Sequence, residues 1–224
     1  GDVMRVVIFD VDGTLVDSQD DICAAMGAAF ASVGADVPSR AEICSIVGLS
    51  LPEAMAVLAP ERATDHVALV EGYKASYMSL RAEKGTAESS PLYDGALAAL
   101  ERLRAEDETL LAVATGKSRR GLDKLLQGHG LTGYFVSEQV ADFHPSKPHP
   151  AMLEAVLQDT GLAPHQAVMV GDTRFDMEMA RAAGIATVGV RWGYHAPETL
   201  GADRLIGHFD ELYDAVNALL GVSA

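Results

Sequence analysis

Positive charge is scarce in this chain. Its 224 residues carry 17 Lys and Arg against 32 Asp and Glu, a formal net charge of −15. Nucleic acid and anionic membrane surfaces attract clustered Lys and Arg, so neither is expected as a partner. A phosphate site in such a chain must be made positive locally, by a metal ion, a lysine or a helix N-terminus. Cysteine is scarcer still, with Cys23 and Cys44 the two present. Both fall among apolar residues of expected helices, which favours buried free thiols in a reducing compartment over a disulfide framework. There is no apolar run of the ~20 residues that cross a bilayer. Nor does a basic-then-apolar leader precede the first strand, so the cytoplasm is the expected compartment. Internal repeats and low-complexity segments are missing as well. A Gly-rich loop ending in Gly-Lys-Ser/Thr is also missing, which removes support for nucleotide-dependent transfer of the Walker type.

What is present is an ordinary globular balance, 49% apolar and 22% charged, on a chain long enough for one core with a smaller companion domain. The stretch around which the chain is organised is Ile8-Phe9-Asp10-Val11-Asp12-Gly13-Thr14-Leu15-Val16-Asp17-Ser18. Val6 to Phe9 is a short apolar, partly β-branched run, as in a strand buried on both faces. Asp10 and Asp12 follow it directly. Ionised groups beside a core are costly unless compensated, and a divalent cation held by one or two carboxylates, waters and phosphate oxygens would compensate them. The other reading of these two residues is an Asp-rich turn or a helix cap.

From Ser18 to about residue 85 the pattern is helical. Ile22, Met26, Ala29, Phe30 and Val33 recur at helical spacing between Ser18 as N-cap and Gly34 as stop. Ser39 with Glu42 and Ser50 with Glu53 have capping-box spacing. A longer helix is expected over 64–83, and the polar segment 84–91 reads as a returning linker. Beyond it strands alternate with helices. Strands are expected at 110–114, 134–137, 167–170, 186–190 and 205–206. Helices are expected from Gly95 to Arg104 and at 118–127, 151–158, 176–183 and 209–220. This alternation predicts βαβ units, an α/β doubly wound and mostly parallel Rossmann-like sheet of order 3-2-1-4-5, with an α-helical block inserted after the first strand. The expected division is a core of residues 1–16 and 88–224 and a helical cap of residues 17–87. In such sheets ligands bind at the carboxyl ends of the strands.

Four strand ends carry polar residues of the kind phosphate chemistry uses. The first gives Asp10 and Asp12. The second gives Thr115 as a hydroxyl donor, Gly116 for close backbone approach, and Ser118 opening a helix whose N-terminus favours an anion. After the third comes Lys147, set among Pro145, Pro148 and Pro150. The fourth gives Asp172 and Asp176, on either side of a turn into a helix. Singly, each has a plainer reading: a strand-to-helix turn, a solvated lysine, a helix cap.

In order and position the four segments resemble the motifs of the haloacid-dehalogenase superfamily of aspartate-nucleophile hydrolases. The likeness covers essentially the whole chain. Thr115-Gly116-Lys117-Ser118, Lys147-Pro148-His149-Pro150 and Val170-Gly171-Asp172-Thr173 look most like its phosphoglycolate-phosphatase-like branch. The resemblance implies a Mg²⁺-dependent phosphatase acting on a small-molecule phosphomonoester such as phosphoglycolate. Asp10 would be the nucleophile forming an aspartyl-phosphate, and Asp12 the general acid and base. Thr115, Gly116 and Lys147 would hold the phosphoryl oxygens. Asp10, Asp12 through its backbone carbonyl, Asp172 and Asp176 would hold the metal. The cap turn Gly48-Leu49-Ser50 is the candidate specificity loop, with a simple helix–helix turn as its alternative. A monomer or homodimer is expected. Asp12 speaks against a dehalogenase, which does without the second acid. The lack of lysine in residues 17–73 speaks against a phosphonate hydrolase that uses a cap lysine. A sugar phosphomutase of the same superfamily and a non-catalytic binding protein that kept the fold remain the alternatives.

Overall fold

The structure is a computed structural model and describes residues 4–221, so the outermost ends of the expected core range lie outside the described residues. Strand β1 (Arg5–Phe9) is followed by four helices, α1 (Gln19–Ser32), α2 (Arg40–Ile46), α3 (Leu51–Leu58) and α4 (His66–Lys84). A single helical turn, α5 (Thr86–Ser89), and α6 (Ala96–Arg104) lead to β2 (Thr109–Ala114). Then come α7 (Arg119–Gly128), β3 (Ser137–Gln139), α8 (Ala151–Thr160), β4 (Ala167–Gly171), α9 (Arg174–Ala182) and β5 (Ala186–Val190). Strand β6 (Arg204–Ile206) and α10 (Leu212–Leu220) close the chain. The strands form one sheet of order β3-β2-β1-β4-β5-β6, with every neighbouring pair parallel. This is the expected doubly wound order, extended by β6 at the edge.

Period-2 alternation sends Val7 and Phe9 to one face of the sheet and Val6 and Ile8 to the other. The first pair joins Leu100, Leu122 and Leu212, and the second joins Met152, Leu153 and Met179. A third core is built separately from buried side chains between Ile22 and Tyr77, among them Met26, Phe30, Ile43, Met55 and Leu69. The two chain passages between this helical layer and the sheet run side by side. Val16 bridges Leu92 in antiparallel fashion, the Asp17 amide donates to the Pro91 carbonyl (2.8 Å), and the Tyr93 amide to the Leu15 carbonyl (2.9 Å).

Local differences from the expected elements have physical causes. The third strand begins at Ser137, not at Tyr134. The apolar signal there belonged to a turn whose Phe135 plugs the core edge-on against Phe9 (6.5 Å between ring centres). The strand itself is an edge strand of polar residues, and edges need no apolar run. Segment 84–91 is not a plain linker. Lys84 (2.7 Å) and Ser89 both bind the buried carboxylate of Asp21 on α1. The capping box at Ser39 forms as expected, with bonds of 3.1 and 2.9 Å. Neither Ser18 nor Ser50 caps its helix through its side chain. The Ser18 hydroxyl is engaged elsewhere, as described below. Expected helix 209–220 starts with a 3-10 turn, Phe209–Glu211.

Candidate active site

The order β2-β1-β4 places three strand ends side by side at the point where the winding direction reverses, the crevice where such sheets bind ligands. β1 is followed directly by Asp10, whose amide donates to the Val170 carbonyl (3.0 Å) and is thereby registered against β4. Its carboxylate is 2% exposed. Oδ1 accepts from the Val11 amide (2.7 Å) and lies 3.1 Å from Lys147 Nζ. Lys147 is itself buried at 1% exposure and donates to Asp176 Oδ1 at 2.7 Å. Asp176 Oδ2 accepts from the Thr173 amide (3.1 Å) and hydroxyl (2.9 Å), and the Asp176 amide donates back to the Thr173 hydroxyl (3.3 Å), completing the capping box that opens α9. Asp172 is fully buried, with Oδ1 held by the Thr14 hydroxyl (2.9 Å) and Oδ2 by the Tyr194 amide (2.9 Å).

Carboxylate oxygens of Asp10, Asp172 and Asp176 lie within 4.8 Å of one another. Their mutual field is strong. Burial, then the charge of Asp176, raises the Asp10 carboxyl well above the carboxylate range despite Lys147. Burial and Asp176 push Asp172 up to about 7. Burial also opposes ionisation of Asp176, but the adjacent Lys147 ammonium outweighs it and holds that carboxyl below its ordinary value. For Lys147, the two carboxylates outweigh burial and raise its pKa. Three acids share one ammonium, and Oδ2 of Asp10 is buried without a hydrogen-bond partner among the described residues. A cation satisfies both the surplus charge and the orphaned oxygen. An all-oxygen donor set suits a hard ion such as Mg²⁺, Ca²⁺ or Mn²⁺ rather than zinc.

On its open side Asp10 faces a cavity of about 510 Å³ that it lines together with Asp12, Thr115, Gly116, Gly48 and Leu49. Asp12 accepts from the Ser18 hydroxyl (2.6 Å), which explains why Ser18 does not cap α1. It also lies 3.3 and 3.4 Å from Lys117 Nζ. Thr115 is buried at the end of β2 and accepts from the Lys117 amide (3.1 Å). The Gly48–Ser50 turn reaches down from the helical layer. A Cβ on Gly116 would sit 2.5 Å from the Gly48 carbonyl oxygen, so only glycine permits this approach. The Ser50 amide donates to Ser146 (3.0 Å), beside Lys147, while its side chain is not part of the cavity wall. Asp10, Lys147, Asp172 and Asp176 thus share one buried cluster, and Asp10, Asp12, Thr115 and Gly116 share one cavity, with Asp10 common to both.

Further residues complete the site. Lys117 is bound to Asp12 and lies 5.2 Å from the centre of the Tyr77 ring on α4. The segment after β5 serves the site as well as the core. Trp192 donates to the Thr14 carbonyl (3.0 Å), the Tyr194 hydroxyl accepts from the Ser18 amide (2.9 Å), and His195 Nε2 meets the Ser45 carbonyl (3.0 Å). Gly193 and Gly13 leave the space that Asp172 fills. A Cβ on either would strike its side chain, and Gly13 also needs its positive φ of 82°. Gly193→Ala is expected to lose about 1–3 kcal/mol of stability by overpacking against Asp172, read from urea unfolding. An unchanged midpoint would show that Asp172 can move aside.

The family model described as haloacid dehalogenase-like hydrolase matches residues 7–190. A probable phosphatase, IndB, of Dickeya dadantii is 34% identical over 226 residues, covering 98% of this chain and 96% of that protein. A phosphoglycolate phosphatase of Cereibacter sphaeroides is 35% identical, with 97% of this chain and 100% of that protein covered. Among solved structures, a haloacid dehalogenase-like hydrolase of Streptococcus pneumoniae superposes with a TM-score of 0.82 at 25% identity, over 96% of this chain and 99% of that one.

Proposed function

The chain belongs to the haloacid dehalogenase-like hydrolase family, and on that premise we propose that it is a Mg²⁺-dependent phosphomonoester hydrolase of small phosphorylated metabolites, phosphoglycolate among the candidates. The observation that carries this reading is the buried Asp10 carboxylate. One of its oxygens is held by Lys147 and Val11, the other is left without a hydrogen-bond partner among the described residues, and the group shares a cluster with Asp172 and Asp176.

Asp10 is the nucleophile in this proposal. A carboxylate needs orientation more than activation, and the Val11 amide and Lys147 supply it by fixing Oδ1. Attack of Asp10 on phosphorus forms an Asp–O–P bond and breaks the bond to the leaving alkoxide. Asp12 gives that alkoxide its proton. It then takes a proton from the water that hydrolyses the aspartyl-phosphate and regenerates Asp10. The Ser18 hydroxyl and Lys117 hold Asp12 in place for both steps. Lys147, Thr115 and the backbone at Gly116 are assigned to the equatorial oxygens, where charge spreads in the transition state. Asp10, the Asp12 carbonyl, Asp172 and Asp176 would hold Mg²⁺, which supplies charge neutralisation at the transferring phosphoryl group. Residues 17–87 are read as the cap and 1–16 with 88–224 as the catalytic core. The contacts of Gly48 and Leu49 at Gly116 support a role for the cap in excluding water from the site. No helix among the described residues is long and apolar enough to cross a membrane. Action in the cytoplasm as a monomer or homodimer completes the reading.

Phosphate release from 2-phosphoglycolate, titrated with Mg²⁺, tests it. Activity should vanish with chelator and return with the metal. In Asp172→Ala the half-saturating Mg²⁺ concentration should rise about tenfold or more. An unchanged titration would remove Asp172 from the metal's ligands.

A further inference from the structure

The cavity in front of Asp10 is larger and more apolar than a phosphoryl group and a two-carbon acid require. Its volume of about 510 Å³ falls within the ~300–1,000 Å³ of pockets that enclose drug-sized ligands. Its walls include Ile22, Met26, Ile46, Leu51, Ala54 and Tyr77. Five of these six are at most 8% exposed and form the packed base of the wall, while half-buried Leu51 and Tyr73 and exposed Met78, which also line it, present accessible apolar surface.

The Gly48 and Leu49 carbonyls pack at Gly116, the Ser50 amide is bonded to Ser146 (3.0 Å), and the Ser45 carbonyl meets His195 (3.0 Å). The helical layer is therefore seated on the sheet at three places, and the space that remains between them is open to solvent along an outer edge at Glu71, Lys74 and Arg120. The basic groups on the wall are mostly engaged or exposed. Lys117 is bound to Asp12, Lys74 is exposed and lies 3.9 Å from Glu71, and Arg120 is exposed. Half-buried Arg81 is the cation left to meet an acidic leaving group.

Building on the phosphatase reading of this same pocket, we infer that the preferred substrate is the monophosphate of an alcohol with a ring-sized apolar body, selected by the wall formed by α1, α3 and α4. Burial of that body against Leu51, Tyr73 and Met78 supplies the binding energy, and the phosphoryl end is held at Asp10 and Thr115.

A series of esters tests this: ethyl, butyl, hexyl and 2-phenylethyl phosphate, with 2-phosphoglycolate beside them. The simple alcohols have similar acidity, so differences in kcat/KM report burial and not leaving-group chemistry. The expected rise along the alkyl series is about fourfold per methylene. 2-Phenylethyl phosphate should exceed ethyl phosphate about 30- to 100-fold. Leu51→Ala combined with Met78→Ala, which strips accessible apolar surface from the wall, should shrink that last ratio to about threefold or less, with a thermal melt to show that the variant is folded. Should it fail to fold, the wild-type series decides alone. A flat series, or a clear preference for 2-phosphoglycolate, would overturn the inference and assign the cavity to an acid-bearing substrate held by Arg81, with the phosphatase reading intact. Hydrolysis of no ester above the level of an Asp10→Asn control would be a different failure, that of the phosphatase reading itself.

Discussion

Asp10→Asn is expected to abolish Mg²⁺-dependent phosphate release, a loss of about 10⁴-fold or more in kcat, while making the metal-free protein more stable. The opposite signs follow from the same geometry. An amide is no nucleophile toward phosphorus, so the covalent step disappears. Yet the Asn carbonyl oxygen still accepts from the Val11 amide and Lys147 as Oδ1 does, and the new NH₂ replaces the orphaned Oδ2 and takes one charge out of the three-carboxylate cluster. Repulsion among three buried carboxylates is thereby relieved. The sign also follows from linkage. The folded-state pKa of Asp10 is raised, so its contribution to stability is present below the unfolded value of ~3.9 and is lost as pH rises through the folded value. At neutral pH the wild-type carboxyl is therefore a net cost to the metal-free fold. Removing it should gain about 1 kcal/mol or more, roughly 2–4 °C in Tm for a chain of this size, measured by thermal melting in chelator. Asp172, pushed up to about 7, acts in the same sense. The metal-free wild type should consequently lose stability between about pH 4 and 7, and Mg²⁺ should restore it. Retained turnover in Asp10→Asn would end its assignment as nucleophile. A lower Tm in the variant would show that the cluster is not electrostatically strained.

Much of the sheet was legible because buried parallel strands are continuous apolar runs, and β1, β2, β4 and β5 are such runs. β3 was misplaced by three residues because an edge strand can be polar while a neighbouring turn is apolar, and Ser137, Glu138 and Gln139 sit beside Phe135. Asp10, Lys147, Asp172 and Asp176 could be singled out because each falls in or just after the turn or loop that follows a strand, although their spacing in sequence says nothing of distance. The supporting residues were not legible in the same way. Ser18 reads as an N-cap by type and position, and only the fold brings Asp12 within 2.6 Å of its hydroxyl. Gly193 carries no sequence signal that separates it from other glycines; the side chain it makes room for lies 21 positions earlier. Lys117, next to the glycine that was singled out, is the one such residue that its neighbours could have revealed. The helix-rich composition of 18–85 gave the helical layer, but the apolar lining of the cavity was indistinguishable in sequence from residues that pack only against one another, since Met26 and Phe30 share one helical face and one period.

Lys147→Met should be the most destabilising single change at the site. The ammonium is buried, 2.7 Å from Asp176 and 3.1 Å from Asp10. Methionine matches its length and fills its space, so the effect isolates the charge. Two carboxylates then face each other and Asp172 with no counter-charge. Breaking a buried pair in this manner costs about 3–5 kcal/mol, and Tm should fall by about 10 °C. Catalysis should fall too, by about 10²–10³ in kcat, the scale of losing one preorganised charge at a developing anion. Mg²⁺ separates the two effects. A divalent ion among Asp10, Asp172 and Asp176 replaces the missing positive charge as far as folding is concerned, so saturating metal should recover much of the lost Tm. It should not recover kcat, because Lys147 also stands beside the attacking oxygen of Asp10. Parallel melts and rate measurements across a Mg²⁺ titration check both halves. Full recovery of kcat with Mg²⁺ would make Lys147 a structural counter-ion alone. An undiminished Tm in chelator would mean that the three carboxyls share protons readily enough to need no lysine.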